Sequence, residues 1–232
     1  MVAFDKSLEE RPINPKNRET LRLAARDLAY LLDRGYPERA SLKLVGDRFG
    51  LKAEERELLL RATVPRPRAL SRRQKRVRAR DLRGVRVSVD GFNVLATLAH
   101  ALRGAPLVLA RDGFVRDGVR AGRNLRLEPE FPFLLDLLNK FFVRFRPGYL
   151  GFYLDAPISG SGKLAARLRL WLREQDLPGE ALALKDAERR VLSGEVVCTA
   201  DGPLLDRAER TFDLAGFILR VYLRKPVFKL FG

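Results

Sequence analysis

The chain has 232 residues, of which 45 are Lys or Arg and 29 are Asp or Glu, so its formal net charge is +16. The apolar content of 46% is sufficient for a hydrophobic core and excludes wholesale disorder. A single Cys198 excludes a disulfide framework, and a single His100 excludes histidine-rich metal motifs. No window of about 18 apolar residues predicts a membrane span, and no secretion signal follows Met1. We therefore expect a soluble cytoplasmic protein.

The positive charge is concentrated in one stretch. Between Pro65 and Arg80 there are eight cations and no acid. Because each cation beside a phosphate releases condensed counterions, this excess predicts a polyanionic partner, namely nucleic acid. The alternative is that the charge serves solubility alone. Of the 45 basic residues 35 are Arg, and Asn, Gln, Cys and Met number five, two, one and one, which suggests a thermophile or a GC-rich genome.

The N-terminal part of the chain is predicted to be helical. Apolar residues at helical spacing from Leu21 to Leu32 predict a first helix that ends at Gly35, and two more helices are expected at about 38–49 and 53–62. The sequence thus predicts a helical N-terminal region over 1–64, followed by a basic linker over 65–84. The helices have the outline of a helix-turn-helix, but no polar cluster marks a recognition helix, which favours a small helical cap.

From Val85 onward the hydrophobic pattern alternates between strands and helices. Strands are predicted at 85–90, 107–110, 149–156, 181–186 and 195–200, and helices at 93–102, 131–145, 163–175 and 203–210. Residues 111–128 are irregular, and 217–223 fit a strand or a helix remnant. This alternation predicts an α/β domain over 85–232, with a parallel sheet covered by helices on both faces.

Four acids occupy the ends of predicted strands: Asp90, Asp155, Asp186 and Asp201. The carboxyl ends of parallel strands share one edge of a sheet, where ligands bind. Four carboxylates at one edge require a cation, and oxygen ligands favour Mg²⁺ or Mn²⁺ over zinc. Such a metal activates water and stabilises a phosphate ester under attack. The alternative is that each Asp caps the helix that follows its strand.

The run ISGSGKL at 158–164 is similar to a phosphate-binding loop, but Pro157 and Leu164 replace residues that such a loop requires. Ser159 and Lys163 remain candidates for a phosphate contact at the start of a helix, and an ordinary helix start is the alternative. His100 and Cys198 lie within predicted elements and are expected to pack in the interior.

Several segments resemble known families. VDGFNVL (89–95) is similar to the opening strand of PIN-like nucleases of the NYN branch, which ends in Asp-Gly-x-Asn, and CTADGPLLD (198–206) is similar to their later Thr/Ser-x-Asp motif. Over most of its length the chain resembles the prokaryotic family named domain of unknown function 434. That resemblance is carried by the segments 34–51, 90–98, 112–118 and 154–165.

This resemblance implies a PIN-like parallel sheet sandwiched by helices and metal-dependent cleavage of RNA, usually single-stranded. Asp90 and Asp201 match the two motifs, and Asn93 matches the Asn that follows the first Asp. Asp155 and Asp186 are assigned by strand position only. The expected catalytic set is these five residues, and the expected ligands of Mg²⁺ or Mn²⁺ are Asp90, Asp155 and Asp201.

We therefore predict a PIN-like endoribonuclease whose partner is nucleic acid, with a homo-oligomer as a further option. Contacts to nucleic acid are expected from Arg72, Arg73, Lys75, Arg76, Arg116, Ser159 and Lys163. Asp112 and Asp117 lie in an Arg-rich loop that PIN proteins generally lack, where they would supply further acids, contact substrate or simply be solvated. Two alternatives stay open: a non-catalytic nucleic-acid-binding protein that retains the fold, and an enzyme that acts on a small phosphorylated metabolite through the Gly-Ser-Gly turn.

Overall fold

A computed structural model describes residues 15–119, 127–156, 158 and 160–231. The chain divides into two compact units. The first unit comprises residues 1–70, 100–120 and 225–232, and the second comprises residues 71–99 and 121–224. Ser159 and part of the irregular stretch 111–128 lie outside the described residues.

The described residues form ten helices and eight strands. The helices are α1 (Pro15–Asp33), α2 (Glu38–Arg48), α3 (Ala53–Ala62), α4 (Arg66–Gln74), α5 (Gly91–Leu102), α6 (Phe131–Phe145), α7 (Ser161–Glu174), α8 (Ala187–Val191), α9 (Gly202–Arg207) and α10 (Leu214–Phe217). The strands are β1 (Arg86–Asp90), β2 (Leu107–Leu109), β3 (Val115–Asp117), β4 (Tyr149–Asp155), β5 (Gly179–Leu184), β6 (Val196–Cys198), β7 (Thr211–Phe212) and β8 (Phe228–Lys229). A 3₁₀ turn at Ala79–Leu82 and a π-helical turn at Ile218–Tyr222 complete the order. No helix in this described part is both long and apolar enough to cross a membrane.

The first unit is built on α1, α2 and α3, as the sequence predicts. Leu21, Leu28 and Leu59 are almost fully buried in its core. The unit also contains a small sheet in the order β3-β2-β8, in which β2 pairs antiparallel with β3 and parallel with β8. The strand predicted at 107–110 therefore belongs to this small sheet and not to the main parallel one. Its pairing depends on β8, more than 100 residues away in the chain, so local periodicity could not assign it.

The second unit contains a five-stranded parallel sheet in the order β5-β4-β1-β6-β7. From β1 the chain builds outward to β4 and β5, and then returns to the opposite side of β1 with β6 and β7. The direction of winding thus reverses between β1 and β6. In open parallel sheets such a reversal opens a crevice at the carboxyl ends of the two strands, where ligands bind.

Helices flank this sheet on both faces, in agreement with the predicted α/β class. Adjacent residues of β4 point to opposite faces, as in any strand. Phe152 contacts Phe142 of α6 and Trp171 of α7, with ring centroids 6.2 and 6.0 Å apart. Tyr153, on the other face, belongs to a buried cluster with residues of α8 and α9. The fold and its burial pattern therefore place the carboxyl edge of the sheet between two helical layers.

The stretch 65–84, expected as a linker, folds into α4 and the 3₁₀ turn. Within the second unit, the Arg72 guanidinium is buried and donates to the Asp206 carboxylate at 2.7 and 3.0 Å and to the Gly202 carbonyl at 3.0 Å. The Lys75 ammonium donates to the Asp206 and Leu205 carbonyls at 2.7 and 3.3 Å. These acceptors lie about 130 positions further along the chain than the cations that they bind. The sequence pattern therefore shows a run of cations but not their partners.

Candidate carboxylate site

The candidate site lies where the winding of the parallel sheet reverses. Asp90 is the last residue of β1, and Thr199 and Asp201 follow β6 directly. Asn93 lies in the first turn of α5, which begins immediately after Asp90. Gly91 permits that abrupt start, because a Cβ at this position would lie 2.8 Å from Leu154 Cδ2 of β4. Sequence and topology together therefore bring the two motif segments, 89–95 and 198–206, to the same crevice.

Hydrogen bonds connect these two segments. The Thr199 hydroxyl donates to Asp90 Oδ2 at 2.8 Å and accepts from the Asp201 amide at 3.0 Å. The Asn93 side-chain oxygen accepts from the Ala200 amide at 2.8 Å, and the Asn93 amide donates to Asp90 Oδ1 at 3.4 Å. The network fixes Asp90 and Asn93 against the loop that follows β6. A role for Thr199 was not expected, although it occupies the Thr/Ser position of the later motif.

Asp155, the last residue of β4, completes a group of three acids at this edge. Its carboxylate is exposed at the neighbouring strand end. Partial burial and the negative charges of Glu188 and Asp201 raise the pKa of Asp155. Since Asp155 and Asp201 also act electrostatically on Asp90, all three predicted ligands lie in one electrostatic neighbourhood.

Asp90 shows the clearest effect of this environment. Burial raises the pKa of Asp90 to about 7, and the charges of Asp201 and Asp155 add to the increase. The hydrogen bonds from Thr199 and Asn93 act in the opposite direction but do not cancel the burial effect. A carboxyl group with such a pKa carries poorly compensated charge at neutral pH, which is the condition that a bound cation relieves.

This environment predicts a pH-dependent stability effect for Asp90→Asn in the presence of chelator. The folded-state pKa is about 7 and the unfolded one about 4, so the folded wild-type protein loses stability as pH rises from about 4 to about 7. The full pKa difference would lower the free energy of unfolding of the wild type by about 4 kcal/mol. We expect Asp90→Asn to regain about 2 kcal/mol of this loss, because the Asn amide must still fit the same hydrogen bonds.

The measurement is the difference in free energy of unfolding between Asp90→Asn and wild type at pH 4 and at pH 8. We expect almost no difference at pH 4 and a more stable variant at pH 8. An equal difference at both pH values would contradict the assigned environment of Asp90.

Two other acids, Asp186 and Glu188, lie near this edge. Asp186 follows β5 and caps α8, where its Oδ1 accepts from the Arg189 amide at 3.4 Å. Glu188 is not part of the sequence-based site, yet it raises the pKa of Asp155. Its carboxylate also pairs with Arg207 at 2.8 Å. The capping interpretation therefore applies to Asp186, whereas Glu188 could have been found only from the position of α8.

Asp201 combines both interpretations. Its Oδ1 accepts from the Leu204 amide at 3.1 Å and so caps α9, while its charge acts on Asp90 and Asp155. In the described part of the chain, no group of three or more His, Cys, Asp or Glu side chains is placed to hold a metal ion. The donor set at the edge, which consists of carboxylate, amide and hydroxyl oxygens, has the chemistry that suits Mg²⁺ or Mn²⁺.

A small cavity of about 120 Å³ adjoins the beginning of α5. It is lined by Phe92, two residues after Asp90, and by the side chains of Lys163 and Arg167 on α7. The Arg167 guanidinium lies 4.1 Å from the ring centroid of Phe131. Glu128 is the acid that lines the same cavity. Lys163, predicted to contact phosphate, thus lies in the unit that contains the three acids.

The other residues expected to contact nucleic acid have varied surroundings. Arg73 and Arg76 are exposed at the end of α4 and after it, whereas Arg72 and Lys75 are engaged within the second unit. Arg116 is buried in the first unit and donates to the Asp112 carboxylate at 2.9 and 2.8 Å. Within this expected set, exposed cations are therefore fewer than the sequence suggests.

Asp112 and Asp117 also pair within the first unit. Asp117 lies 3.4 Å from His100 Nδ1 and 3.6 Å from Arg61 Nη1. Although burial opposes it, the contact with His100 helps to hold the pKa of Asp117 below its usual value. The segment around these acids forms a hairpin of β2 and β3, so its acids serve internal ion pairs. His100 and Cys198 are both buried, as expected, and burial raises the pKa of the Cys198 thiol.

The fold and the site define an α/β protein with a carboxylate-lined sheet edge, joined in sequence to a helical N-terminal part. Residues 79–217 match the family model described as Domain of unknown function (DUF5616), and the chain belongs to that family. Residues 20–75 match the model described as Protein of unknown function (DUF434). The expected resemblance to domain of unknown function 434 is thus confirmed for the helical part.

The chain is also similar to a relative over a longer stretch. The chain is 27% identical over 186 residues to an uncharacterized protein of Methanocaldococcus jannaschii. The matched stretch covers 78% of this chain and 87% of the relative. No solved structure matches the chain.

Proposed function

We propose that the second unit is a PIN-like, metal-dependent nuclease that cleaves single-stranded RNA. The observation that carries this proposal is the shared electrostatic neighbourhood of Asp90, Asp155 and Asp201 at the reversal of a parallel sheet. Acidic groups at this position of a basic protein suit a reaction on a phosphodiester, since carboxylates hold the metal and cations hold the phosphates.

Asp90, Asp155 and Asp201 would hold Mg²⁺ or Mn²⁺ once their carboxylates move closer together, because among the described residues no three such side chains are already placed around an ion. When bound, such an ion supplies activated water and stabilises charge on the phosphate under attack. Thr199 and Asn93 act as positioning residues, because their hydrogen bonds fix Asp90 relative to the loop after β6. Supporting groups of this kind orient metal ligands and adjust their basicity.

The cavity beside α5 provides a place for the substrate. Lys163 and Arg167 line it and would contact phosphates, while the ring of Phe92 offers a surface against which a base can stack. Among the described residues, neither Lys163 nor Arg167 has a carboxylate partner, so both charges are available to an anion. The chain therefore supplies cations within the same unit as its acids.

The experiment is a cleavage assay with purified protein and three labelled substrates: single-stranded RNA, duplex RNA and single-stranded DNA. We expect cleavage of single-stranded RNA with Mn²⁺ or Mg²⁺, little cleavage of the duplex, and none with chelator. Cleavage that persists in chelator would exclude the proposed chemistry.

A non-catalytic nucleic-acid-binding protein is the second candidate. It is favoured by the helix-capping contacts of Asp201 and Asp186, which give both acids a structural role without a metal. In that case the protein would bind the labelled RNA but would not cleave it with any metal tested. The metabolite hypothesis has weaker support, because the Ser161 hydroxyl of the Gly-Ser-Gly turn donates back to the Ala156 carbonyl at 3.2 Å.

A further inference from the structure

We propose that the first unit has its own binding site for single-stranded RNA, in a cation-lined cavity on α1. The cavity has a volume of about 490 Å³ and is formed by α1, the segment between α5 and β2, and the chain from Lys225 to Lys229. Its volume is within the range of about 300–1,000 Å³ that is typical of ligand sites. Every lining residue belongs to the first unit.

The charged residues that line this cavity are all positive. Four cations, Arg18, Arg22, Lys225 and Lys229, line it, and no acid does. Like charges gathered around a concave apolar surface attract anions strongly, since the low-dielectric wall focuses their field. The charge of the cavity thus complements a phosphate backbone.

Two of these cations are held in place by an aromatic ring. The guanidinium groups of Arg18 and Arg22 lie 5.6 and 5.7 Å from the ring centroid of Phe228, within the range of cation–π attraction. Arg22 Nε also donates to the Lys229 carbonyl at 3.4 Å. Phe228 is therefore a positioning residue, which keeps two planar phosphate-binding groups together at the cavity.

The charges at this cavity are weakly compensated. Arg22 has a long contact of 3.7 Å with Glu19, and both side chains are about half exposed or more, so water screens the pair. Across the described ranges, no carboxylate pairs with Arg18, Lys225 or Lys229. By contrast, Arg72 and Arg116 of the sequence-based set are bound to internal carboxylates. In this cavity, part of the excess of positive charge faces a concave surface.

This inference rests on the proposed function only in its choice of RNA as the partner, because binding here requires neither the metal nor the carboxylate edge. The experiment measures fluorescence anisotropy of labelled oligouridylate RNA with the full chain in chelator, over a series of salt concentrations. The cavity variant combines Arg18→Gln, Lys225→Gln and Lys229→Gln. The matched control combines Arg39→Gln, Lys52→Gln and Arg68→Gln, three exposed cations of the same unit that do not line the cavity.

For the cavity variant, we expect the negative slope of log affinity against log salt to become shallower by about 2. Each of the three lost phosphate contacts removes roughly 0.7 from its magnitude for single strands. At about 0.1 M salt this corresponds to a roughly hundredfold weaker affinity for RNA. The control should keep the wild-type slope, and thermal melting verifies that both variants are folded. Arg18→Lys, which retains the charge, should keep the wild-type salt slope.

Three results would overturn the proposal. Equal weakening by the two triple variants would mean diffuse charge, and absence of RNA binding in chelator would mean no such site. Competition by uridine monophosphate as strong as that by RNA would indicate a small-molecule site. Conversely, RNA binding that depends on the cavity, together with absence of cleavage in every metal, would overturn the nuclease proposal alone.

Discussion

Asp90→Asn is expected to lower the Mn²⁺ affinity of the carboxylate edge by at least about a hundredfold. Loss of a supporting group around a metal ligand commonly costs 10- to 100-fold, and this substitution removes a charged ligand itself. Because the pKa of Asp90 is about 7, the wild-type affinity should also fall below that pH, by about tenfold for each pH unit, as protons compete for the carboxylate.

Titration of Mn²⁺ followed by electron paramagnetic resonance measures this affinity at pH 8 and pH 6. Asp136→Asn is the matched control, because Asp136 is an exposed acid on α6. Asp186→Asn tests the assignment by strand position: a loss similar to that of Asp90→Asn would make Asp186 a ligand, and no loss would leave it as the cap of α8. Unchanged affinity in Asp90→Asn would contradict the proposed ligand set.

Asp112→Ala is expected to destabilise the protein by about 3–5 kcal/mol. The Asp112 side chain is fully buried and the Arg116 side chain is 10% exposed, and two hydrogen bonds at 2.9 and 2.8 Å join them. Removal of one partner of a buried ion pair leaves an uncompensated charge in the interior, which causes a loss of this size.

The control for this prediction replaces both partners. Asp112→Leu combined with Arg116→Met removes both charges and keeps apolar volume, and buried pairs replaced in this way often retain their stability. Urea denaturation should therefore show a large loss for Asp112→Ala and a much smaller one for the double variant. A loss below about 1 kcal/mol for Asp112→Ala would show that the pair is hydrated and weak.

Most of the second unit could be predicted from local sequence patterns. The strands that end in Asp90 and Asp155 are short apolar runs bounded by turn residues, and the helices between them have a clear apolar stripe. Parallel pairing then follows from the alternation of strands and helices, and with it the convergence of strand ends at one edge. For that reason the positions of Asp90, Asp155 and Asp201 agree with the expected shared edge.

The remaining features depend on partners that are distant in sequence. Arg72 and Arg116 belong to cation-rich segments, and nothing local distinguishes a cation that contacts solvent from one bound to a buried carboxylate. Asp206, the partner of Arg72, is 134 positions away. The small sheet likewise unites β2 and β3, near the middle of the sequence, with β8, more than 100 residues further along. Glu188 approaches Asp155 only because α8 packs beside β4.

The most direct test of the nuclease proposal compares wild type and Asp90→Asn in cleavage of labelled single-stranded RNA with Mn²⁺ at pH 8. We expect metal-dependent cleavage by wild type, no detectable cleavage by Asp90→Asn, and RNA binding in chelator that is equal for both proteins. Cleavage by Asp90→Asn at the wild-type rate would contradict the proposal, because the activity would then come from another site or from a contaminant.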